Sequence, residues 1–269
     1  MKNTIGIIGC GWLGLPLAKS LIQDGHKVHG STTNADKLNL LKKEGIKPFI
    51  IILGEDAVTG RIEEFLDRVD ILILNIPPGL RGKHKENFVL KMNLLHTEIQ
   101  KSKVKKIVFV SSTSVYGAVE GEVTEETLPM PVTESGRQLL EAEKIFKNDK
   151  TIQTTILRFG GLIGPDRHPI DKLSGKKGLS NGNDPINLIH LDDCIHLIKT
   201  ILENNWWGQI FNGVYPDHPT KKDYYYDMAD KKMLPRPQYM SGMTTKKGKT
   251  IISRNFLIND VQFYTGIKP

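Results

Sequence analysis

The sequence predicts an α/β protein with a Rossmann-type, doubly wound parallel sheet and a small C-terminal substrate lobe. Short apolar runs rich in Val, Ile and Leu alternate with helical segments up to about residue 165. Each run is continuously apolar, which is typical of strands that helices cover on both faces. The first run enters a helix through a glycine-rich turn, as the first unit of a dinucleotide-binding fold does.

Strands and helices are predicted in alternation along this region. The first helix ends at Gly25, since glycine commonly terminates helices at the C′ position. The later helices follow from apolar residues at helical spacing between successive apolar runs. The predicted strands are 4–9, 26–31, 48–53, 70–76, 106–112 and 153–159, and the predicted helices are 13–23, 36–43, 61–68, 85–101 and 139–148.

The pattern becomes less regular after Arg158. Residues 166–185 form a loop rich in Gly, Pro and Lys, whereas residues 186–203 return to a strand and helix pattern. The tail 209–269 mixes short strands, aromatic residues and prolines. We therefore predict an NAD(P)-binding Rossmann domain over 1–165, to which 186–203 return, and a smaller lobe built from 166–185 and 209–269.

Composition is that of an ordinary globular protein, with 39% apolar and 25% charged residues. Cys10 and Cys194 show neither disulfide nor metal-ligand spacing, so we expect no metal and a cytoplasmic location. We expect no membrane segment, because no run approaches about 20 apolar residues and no signal-peptide pattern opens the chain. The net charge of +7 comes from scattered lysines, which argues against nucleic-acid binding and suits anionic small ligands or a solvated surface.

The glycine-rich turn has the spacing G-x-G-x-x-G. Gly9 permits the tight turn, Gly11 lets the backbone approach a pyrophosphate, and Gly14 lets the helix pack close to the sheet. The N–H groups at Trp12 and Leu13 open the helix and face the phosphates. Because the turn lies between a strand and a helix, its context favours dinucleotide binding; the alternative is a glycine-rich turn without a ligand.

The end of the second strand predicts which dinucleotide binds. An acidic residue there would bind the ribose 2′-hydroxyl of NAD, but the strand ends in Ser31, Thr32 and Thr33, with Lys37 nearby. Small hydroxyl residues and a lysine would accept a 2′-phosphate, so NADP is slightly preferred over NAD. Asp36 is assigned to the start of the next helix, where it complements the helix dipole.

A second contact is expected beyond the fourth strand, because open α/β sheets bind ligands at the carboxyl ends of their strands. That strand continues into Ile76, Pro77 and Pro78. Such a turn lies flat against adenine or ribose without offering competing donors. The alternative is ordinary turn chemistry.

Three segments make the chain resemble a known family. They are VFVSSTSVYG (108–117), LRFGGLIGP (157–165) and INLIHLDD (186–193). The chain is similar along nearly its whole length to the atypical and extended short-chain dehydrogenases/reductases, the NAD-dependent epimerases/dehydratases. The glycine spacing departs from the commoner G-x-x-G-x-x-G of that family and matches the tighter form of some atypical members.

The resemblance implies further cofactor contacts and a substrate-facing hydroxyl. It implies that Ser111 and the turn around Phe159, Gly160 and Leu162 lie against the cofactor, the latter at the nicotinamide. The serine of the family lies four residues before the tyrosine of VYG, which is Ser112 here. Its hydroxyl can donate to a substrate carbonyl or accept from an alcohol; the alternative is a cap at the strand end. In the family, the tyrosine of VYG packs and is not the acid.

The acid–base pair of the family is absent from this chain. The family uses a tyrosine and, four residues later on the same helix, a lysine that lowers the pKa of the phenol. Ser135 and Leu139 replace them here. A serine hydroxyl is far too weak an acid to substitute for a phenol with a pKa near 10.

No other residue is an obvious replacement for this pair. The candidates lie on or near this helix or in the tail, and a surface or packing role is the simpler interpretation for each: Glu134, Arg137, Lys144, Tyr224, Tyr225 and Tyr226. His190 is expected to be a structural partner of Asp192 or Asp193.

Two functions therefore stay open. The first is an oxidoreductase or epimerase that acts on a nucleotide sugar or small carbonyl compound with a non-standard acid/base. The second is a non-catalytic sensor of NADP(H). A plain Rossmann dehydrogenase with an all-helical second domain is disfavoured, because the tail lacks long helical periodicity. The resemblance also leaves a homodimer through the two long helices open.

Overall fold

A computed structural model describes residues 2–80, 86–240 and 248–267 of the chain. The strands are β1 (Thr4–Ile8), β2 (Lys27–Thr32), β3 (Lys47–Leu53), β4 (Val58–Gly60), β5 (Ile71–Leu74), β6 (Lys106–Ser112), β7 (Gly121–Val123), β8 (Gln153–Phe159), β9 (Gly161–Ile163), β10 (Leu188–His190), β11 (Ile210–Gly213) and β12 (Lys249–Ile251). The helices are α1 (Gly14–Gln23), α2 (Leu38–Lys43), α3 (Ile62–Leu66), α4 (Phe88–Gln100), α5 (Glu134–Asn148), α6 (Ile170–Leu173), α7 (Leu191–Glu203), α8 (Lys221–Lys231) and α9 (Arg254–Leu257).

The main sheet has the strand order β11-β8-β6-β5-β1-β2-β3-β4. All neighbours pair in parallel except β3 and β4, which are antiparallel at one edge. β1 lies between β2 and β5, so the chain first winds to one side and then crosses to the other. The carboxyl ends of β1 and β5 meet at this switch point, where doubly wound folds hold their ligands.

Apolar helix faces cover both sides of the sheet. On one side, Phe65 of α3, Met92 of α4 and Phe146 of α5 belong to one buried cluster. On the other side, Leu17 of α1 and Leu197 of α7 belong to a second cluster. This double cover explains why the strands are continuously apolar, and the prediction of a Rossmann-type parallel sheet is confirmed.

The predicted elements agree with the structure within a few residues. The helix predicted over 36–43 is a 3-10 turn followed by α2, and α5 begins five residues before the predicted 139. The first residue of the helix predicted over 85–101 lies outside the described residues. β10 and α7 are the strand and helix predicted within 186–203. The short strands β4, β7, β9 and β12 were not individually predicted, because three residues are too few to show a period.

The predicted lobe needs one correction. Residues 210–213 were assigned to it, but β11 pairs with β8 in the main sheet. Asn212, which is polar and fully buried, interrupts the apolar run of β11, so the sequence pattern did not identify this segment as a strand of the sheet. Part of the tail also covers the main sheet, since the rings of Phe211 and Phe256 stack 4.5 Å apart. The rest of the division into a domain and a lobe stays a prediction, and residues 241–247 and 268–269 lie outside the described residues.

A third apolar cluster forms beside the sheet, from α6, α8 and the segment before β10. His168 ties this cluster together: its Nδ1 accepts from the Ile170 N–H at 3.1 Å, and its Nε2 lies 2.9 Å from the Tyr224 hydroxyl. That hydroxyl donates to the carbonyl of Ile267 at 2.9 Å. The chain of bonds is satisfied only by a neutral imidazole with its proton on Nε2, because the single phenol proton is used on Ile267.

We predict a pH-dependent loss of stability that originates at His168. Burial, with a smaller effect of Lys232, lowers its pKa to about 4. Between pH 6.5 and 4 the unfolded chain binds a proton that the native state does not, so stability is full above pH 6.5 and falls as the pH falls. The expected cost at pH 4.5 is about 1–2 kcal/mol. Urea unfolding at pH 7 and pH 4.5 measures it.

His168→Asn removes this titration and keeps a local acceptor for the Ile170 N–H, so it should lose less stability than the wild type on acidification. Tyr224→Phe is the matched control. It should lower stability by about 1 kcal/mol at both pH values and keep the pH slope. The prediction is contradicted if the unfolding free energy of His168→Asn falls between pH 7 and pH 4.5 as much as that of the wild type.

Candidate functional site

The glycine turn between β1 and α1 is fixed by close backbone contacts. Gly9 has φ +102°, and a Cβ there would lie 2.3 Å from the Asn75 carbonyl oxygen. A Cβ on Gly14 would lie 2.1 Å from the Gly9 oxygen, whereas a Cβ on Gly11 would have no atom within 4 Å. Gly9 and Gly14 are therefore required by the fold. Gly11 borders open space and is required only if something approaches the backbone.

Two side chains hold this turn in place. The Gly9 N–H donates to Ser31 Oγ at 3.1 Å, and Asn75 Nδ2 donates to the Gly9 oxygen at 3.1 Å. Helix α1 has no side-chain cap and no acidic residue in its first turn. Its first N–H groups are thus available to an anion. Sequence reasoning missed Asn75, although a polar residue directly after an apolar strand was the available signal.

The predicted 2′-phosphate residues divide into two groups. Ser31 is buried and bonded to the glycine turn, and Thr32 Oγ1 accepts from the Asn34 N–H at 3.1 Å. Thr33 and Lys37 are exposed. Because they are exposed next to the end of β2, Thr33 and Lys37 are the candidates for a phosphate at the 2′ position.

The other predicted contacts lie at the same edge of the sheet. Ile76, Pro77 and Pro78 directly follow β5, with Pro77 exposed and the other two half-buried. Phe159 is buried at the end of β8, and Leu162 of β9 is half-buried. Gly160 joins these strands, and a Cβ there would lie 2.6 Å from the Asn187 oxygen. The backbone of Gly160 therefore packs directly against Asn187, the residue before β10.

Ser112 ends β6 and caps the 3-10 turn Thr113–Tyr116. Its Oγ accepts from the Ser114 N–H at 3.2 Å. The capping alternative is therefore observed, but a hydroxyl that accepts one bond still has its own hydrogen to donate. Tyr116 is fully buried and packs, as expected for the tyrosine of VYG.

Helix α5 carries no acid–base pair where the family has one. Ser135 is half-buried, and Leu139 is 4% exposed within the core. The helix begins at the cap Thr133, whose Oγ1 accepts from the Gly136 N–H at 3.1 Å. Leu139 therefore serves packing, and nothing on this helix face can tune a proton donor at Ser135.

The alternative donors have structural roles. On the surface of α5, Arg137 is bonded to Glu134 and Lys144 to Glu141. Tyr224 and Tyr225 are buried in the third apolar cluster, where burial raises the pKa of each phenol. His190 caps α7, with Nδ1 accepting from the Asp192 N–H at 3.2 Å.

Sequence reasoning missed a buried polar network below the Ser112 turn. Glu143 and Arg158 form a salt bridge of 2.6 Å, and their side chains are 4% and 3% exposed. Ser111 Oγ donates to Glu143 at 2.6 Å, and Arg158 also donates to the Tyr116 hydroxyl at 3.0 Å. The hydroxyl of Ser111 is thus directed inward. The signal was an arginine within the apolar strand β8.

A lysine from the tail reaches the same turn. Lys249 Nζ donates to the carbonyls of Thr113 at 3.1 Å and Gly117 at 2.7 Å. Burial, and then the nearby Lys221, lower the pKa of this amine. Lys249 lines a cavity of ≈460 Å³ together with Gly117, Asn187 and Lys221. No carboxylate pairs with it among the residues that the structure describes.

Within residues 2–80, 86–240 and 248–267, no cluster of three His, Cys, Asp or Glu side chains is arranged to hold a metal ion. In the same ranges, no helix has the length and apolar character needed to cross a membrane.

The switch point, the glycine turn and the uncapped α1 define a protein of the Rossmann dinucleotide-fold class. The chain belongs to the NAD dependent epimerase/dehydratase family, whose model matches residues 5–212. The predicted family resemblance is thereby confirmed.

Relatives extend this likeness over nearly the whole chain. Protein YeeZ of Escherichia coli (strain K12) is 34% identical over 261 residues, covering 96% of this chain and 94% of that protein. The uncharacterized UDP-glucose epimerase YtcB of Bacillus subtilis (strain 168) is 26% identical over 220 residues, covering 71% and 70%. The UDP-glucuronic acid 4-epimerase of Bacillus cereus in complex with NAD has a TM-score of 0.81 at 18% identity, covering 98% and 93%. At that identity, the structural likeness shows the fold.

We predict that breaking the buried ion pair strongly destabilises the protein. Glu143→Leu leaves the Arg158 guanidinium buried without its counter-charge, which costs about 3–5 kcal/mol. Urea unfolding of Glu143→Leu, Arg158→Leu and the double variant measures the coupling between the two side chains.

The double variant should lose clearly less unfolding free energy than the sum of the losses in the two single variants. The exposed pair Glu141–Lys144 is the matched control on the same helix, and Glu141→Ala should cost no more than about 1 kcal/mol. The prediction is contradicted if Glu141→Ala and Glu143→Leu lower the free energy of unfolding equally.

Proposed function

We propose that this protein is an NAD(P)-dependent oxidoreductase or epimerase that acts on a nucleotide sugar or small carbonyl compound. Membership of the epimerase/dehydratase family supports the reaction class. The relatives whose names mention UDP-glucose and UDP-glucuronic acid support a nucleotide sugar. Cys10 and Cys194 are both free and buried, in keeping with the proposed cytoplasmic location. A homodimer through α4 and α5 is part of the proposal.

The open space at Gly11 carries this proposal. Gly9 and Gly14 are explained by the contacts of the fold, but Gly11 has room for a Cβ and is still glycine. Its position beside the uncapped start of α1 fits a pyrophosphate that approaches the backbone of Gly11, Trp12 and Leu13. A bound nicotinamide would supply the site with a hydride acceptor or donor.

The preference for NADP rests on charge. Thr33 and Lys37 are exposed next to the end of β2. Asp36 lies in the turn that Asn34 caps, where its backbone N–H donates to Asn34 Oδ1 at 2.9 Å. The Lys37 ammonium and the Thr33 hydroxyl suit a 2′-phosphate better than a 2′-hydroxyl.

Within this proposal, Lys249 handles the proton that the missing tyrosine would have carried. The two carbonyls at Thr113 and Gly117 accept two of its N–H groups. A neutral amine bound in this way keeps one lone pair free to accept a proton, and the ammonium keeps one N–H to donate. Ser112, directly before Thr113, would orient the substrate oxygen.

We predict that Gly11→Ala weakens dinucleotide binding without harming the fold. The added methyl meets no protein atom but fills the space next to the phosphates, so the Kd for NADH and NADPH should rise more than about 10-fold. Calorimetry gives the affinities, and thermal unfolding gives the stability. Tighter binding of NADPH than of NADH is expected in the wild type.

Gly14→Ala is the matched control, because its methyl collides with the Gly9 carbonyl. It should lower the melting temperature as well as the affinity. The proposed function is refuted if the wild type binds neither dinucleotide at millimolar concentration.

We predict that Lys249→Met lowers turnover by about 10²–10⁴-fold, the usual range for general acid–base catalysis. The assay combines NAD⁺ or NADP⁺ with UDP-glucose or UDP-glucuronic acid and follows reduced-nicotinamide absorbance and sugar isomerisation. Because oxidation requires the neutral amine, the wild-type rate should rise with pH, and Lys249→Arg should not restore it.

Lys221→Met serves as the control from the same cavity, since that ammonium is paired with Asp184 at 2.9 Å. Turnover in Lys249→Met equal to that in Lys221→Met contradicts the role of Lys249. Tight dinucleotide binding with no turnover of any compound would favour the sensor instead.

A further inference from the structure

An arginine from the loop after β9 lies over the glycine turn. The guanidinium carbon of Arg167 is 4.9 Å from the centroid of the Trp12 ring. Trp12 directly follows Gly11 and so belongs to the predicted pyrophosphate turn. The same ring packs close to Gly164, where a Cβ would lie 2.8 Å from Trp12 Cζ2. Trp12 thus joins the turn to the loop that carries Arg167.

The loop that presents Arg167 has a defined backbone conformation. The Gly164 N–H donates to the Arg167 carbonyl at 2.9 Å, and the Arg167 N–H donates back to Gly164 at 3.2 Å. These reciprocal bonds close a tight turn over residues 164–167. Stacking on an aromatic face then restricts the guanidinium, so less conformational freedom is lost when it binds an anion.

Next to Asp166 in the sequence, Arg167 is exposed. Among the described residues, no carboxylate forms an ion pair with it. The nearby acidic residues of α7 have other partners: Asp192 lies 3.4 Å from His190, and the buried Asp193 accepts from the Tyr264 N–H at 2.9 Å. The first turn of α1 likewise contains no acidic residue. A positive side chain and a positive helix end therefore face the same region.

We infer that Arg167 is an anion clamp for the cofactor pyrophosphate, held in place by the Trp12 ring. This inference rests on the proposed function, because it needs a dinucleotide at the glycine turn. The backbone N–H groups of α1 would bind one side of the pyrophosphate, and the guanidinium would close the other side. Arg167 belongs to the predicted lobe segment 166–185, so this segment would contribute a contact to the cofactor.

The test measures binding and needs no substrate. Wild type, Arg167→Gln and Arg167→Lys are titrated by calorimetry with ADP-ribose, which has the pyrophosphate, and with AMP, which does not. Loss of a charge-assisted contact corresponds to about a 5- to 20-fold higher Kd for ADP-ribose in Arg167→Gln. The Kd for AMP should stay unchanged, and Arg167→Lys should fall between the other two proteins.

Arg236→Gln is the matched control. Its guanidinium also stacks on an aromatic ring, 5.1 Å from the centroid of Tyr226, and its loss changes the net charge equally. It should leave both affinities unchanged. Higher salt should weaken ADP-ribose binding more in the wild type than in Arg167→Gln, because the clamp is electrostatic.

The outcomes separate this inference from the proposed function. If the wild type binds ADP-ribose and Arg167→Gln binds it equally well, the clamp is overturned and the proposed function stands. If Arg167→Gln loses affinity for UDP-glucuronic acid but not for ADP-ribose, the guanidinium serves a substrate and the clamp is again overturned. If the wild type binds neither NADH nor ADP-ribose, both fall together.

Discussion

The structure depends on the backbone contact between the turn after β1 and the end of β5. Here the Asn75 carbonyl leaves no room for a Cβ on Gly9, and the Gly9 carbonyl leaves no room for a Cβ on Gly14. Ser31 holds the other side, with its hydroxyl on the Gly9 N–H and its carbonyl on the Cys10 N–H at 2.9 Å. Three neighbouring strands are thereby joined at their carboxyl ends. This junction fixes where α1 starts and directs its N–H groups toward the cleft.

A second constraint explains why α5 has kept its place while losing the residues of the family pair. Ser135, Leu139 and Glu143 are spaced by four, so they share one face of the helix. The last of them forms the buried ion pair with Arg158, and the middle one is in the core. This face anchors the helix to β6 and β8 through charge and packing. The position of the Ser112 turn is therefore maintained by groups that take no part in proton transfer.

Local patterns allowed much of this to be predicted from the sequence. Continuous apolar runs and the glycine spacing are short-range signals, so the strands of the sheet and the glycine-rich turn between β1 and α1 followed from them. The contacts of Lys249 with Thr113 and of Arg167 with Trp12 join residues more than 130 positions apart. No period or motif encodes such a contact. Ser31 was assigned to the ribose because its side-chain direction cannot be deduced from its place in a strand.

Two positively charged residues, Arg167 in the loop after β9 and Lys249 in the tail, lie at different points of the proposed site. Arg167 lies at the glycine turn, and Lys249 lies below the Ser112 turn. The Asn187 side-chain amide donates to the backbone carbonyl of Lys249 at 2.9 Å. The backbone carbonyl of Asn187 leaves no room for a Cβ on Gly160. The backbone of Lys249 is thus connected through Asn187 to the turn where the nicotinamide is expected. In the proposed arrangement the predicted lobe would supply both charges, whereas the Rossmann sheet would supply backbone N–H groups and a serine. Proton transfer would then depend on how the predicted lobe is seated, because the carbonyls of Thr113 and Gly117 hold the Lys249 amine at the Ser112 turn.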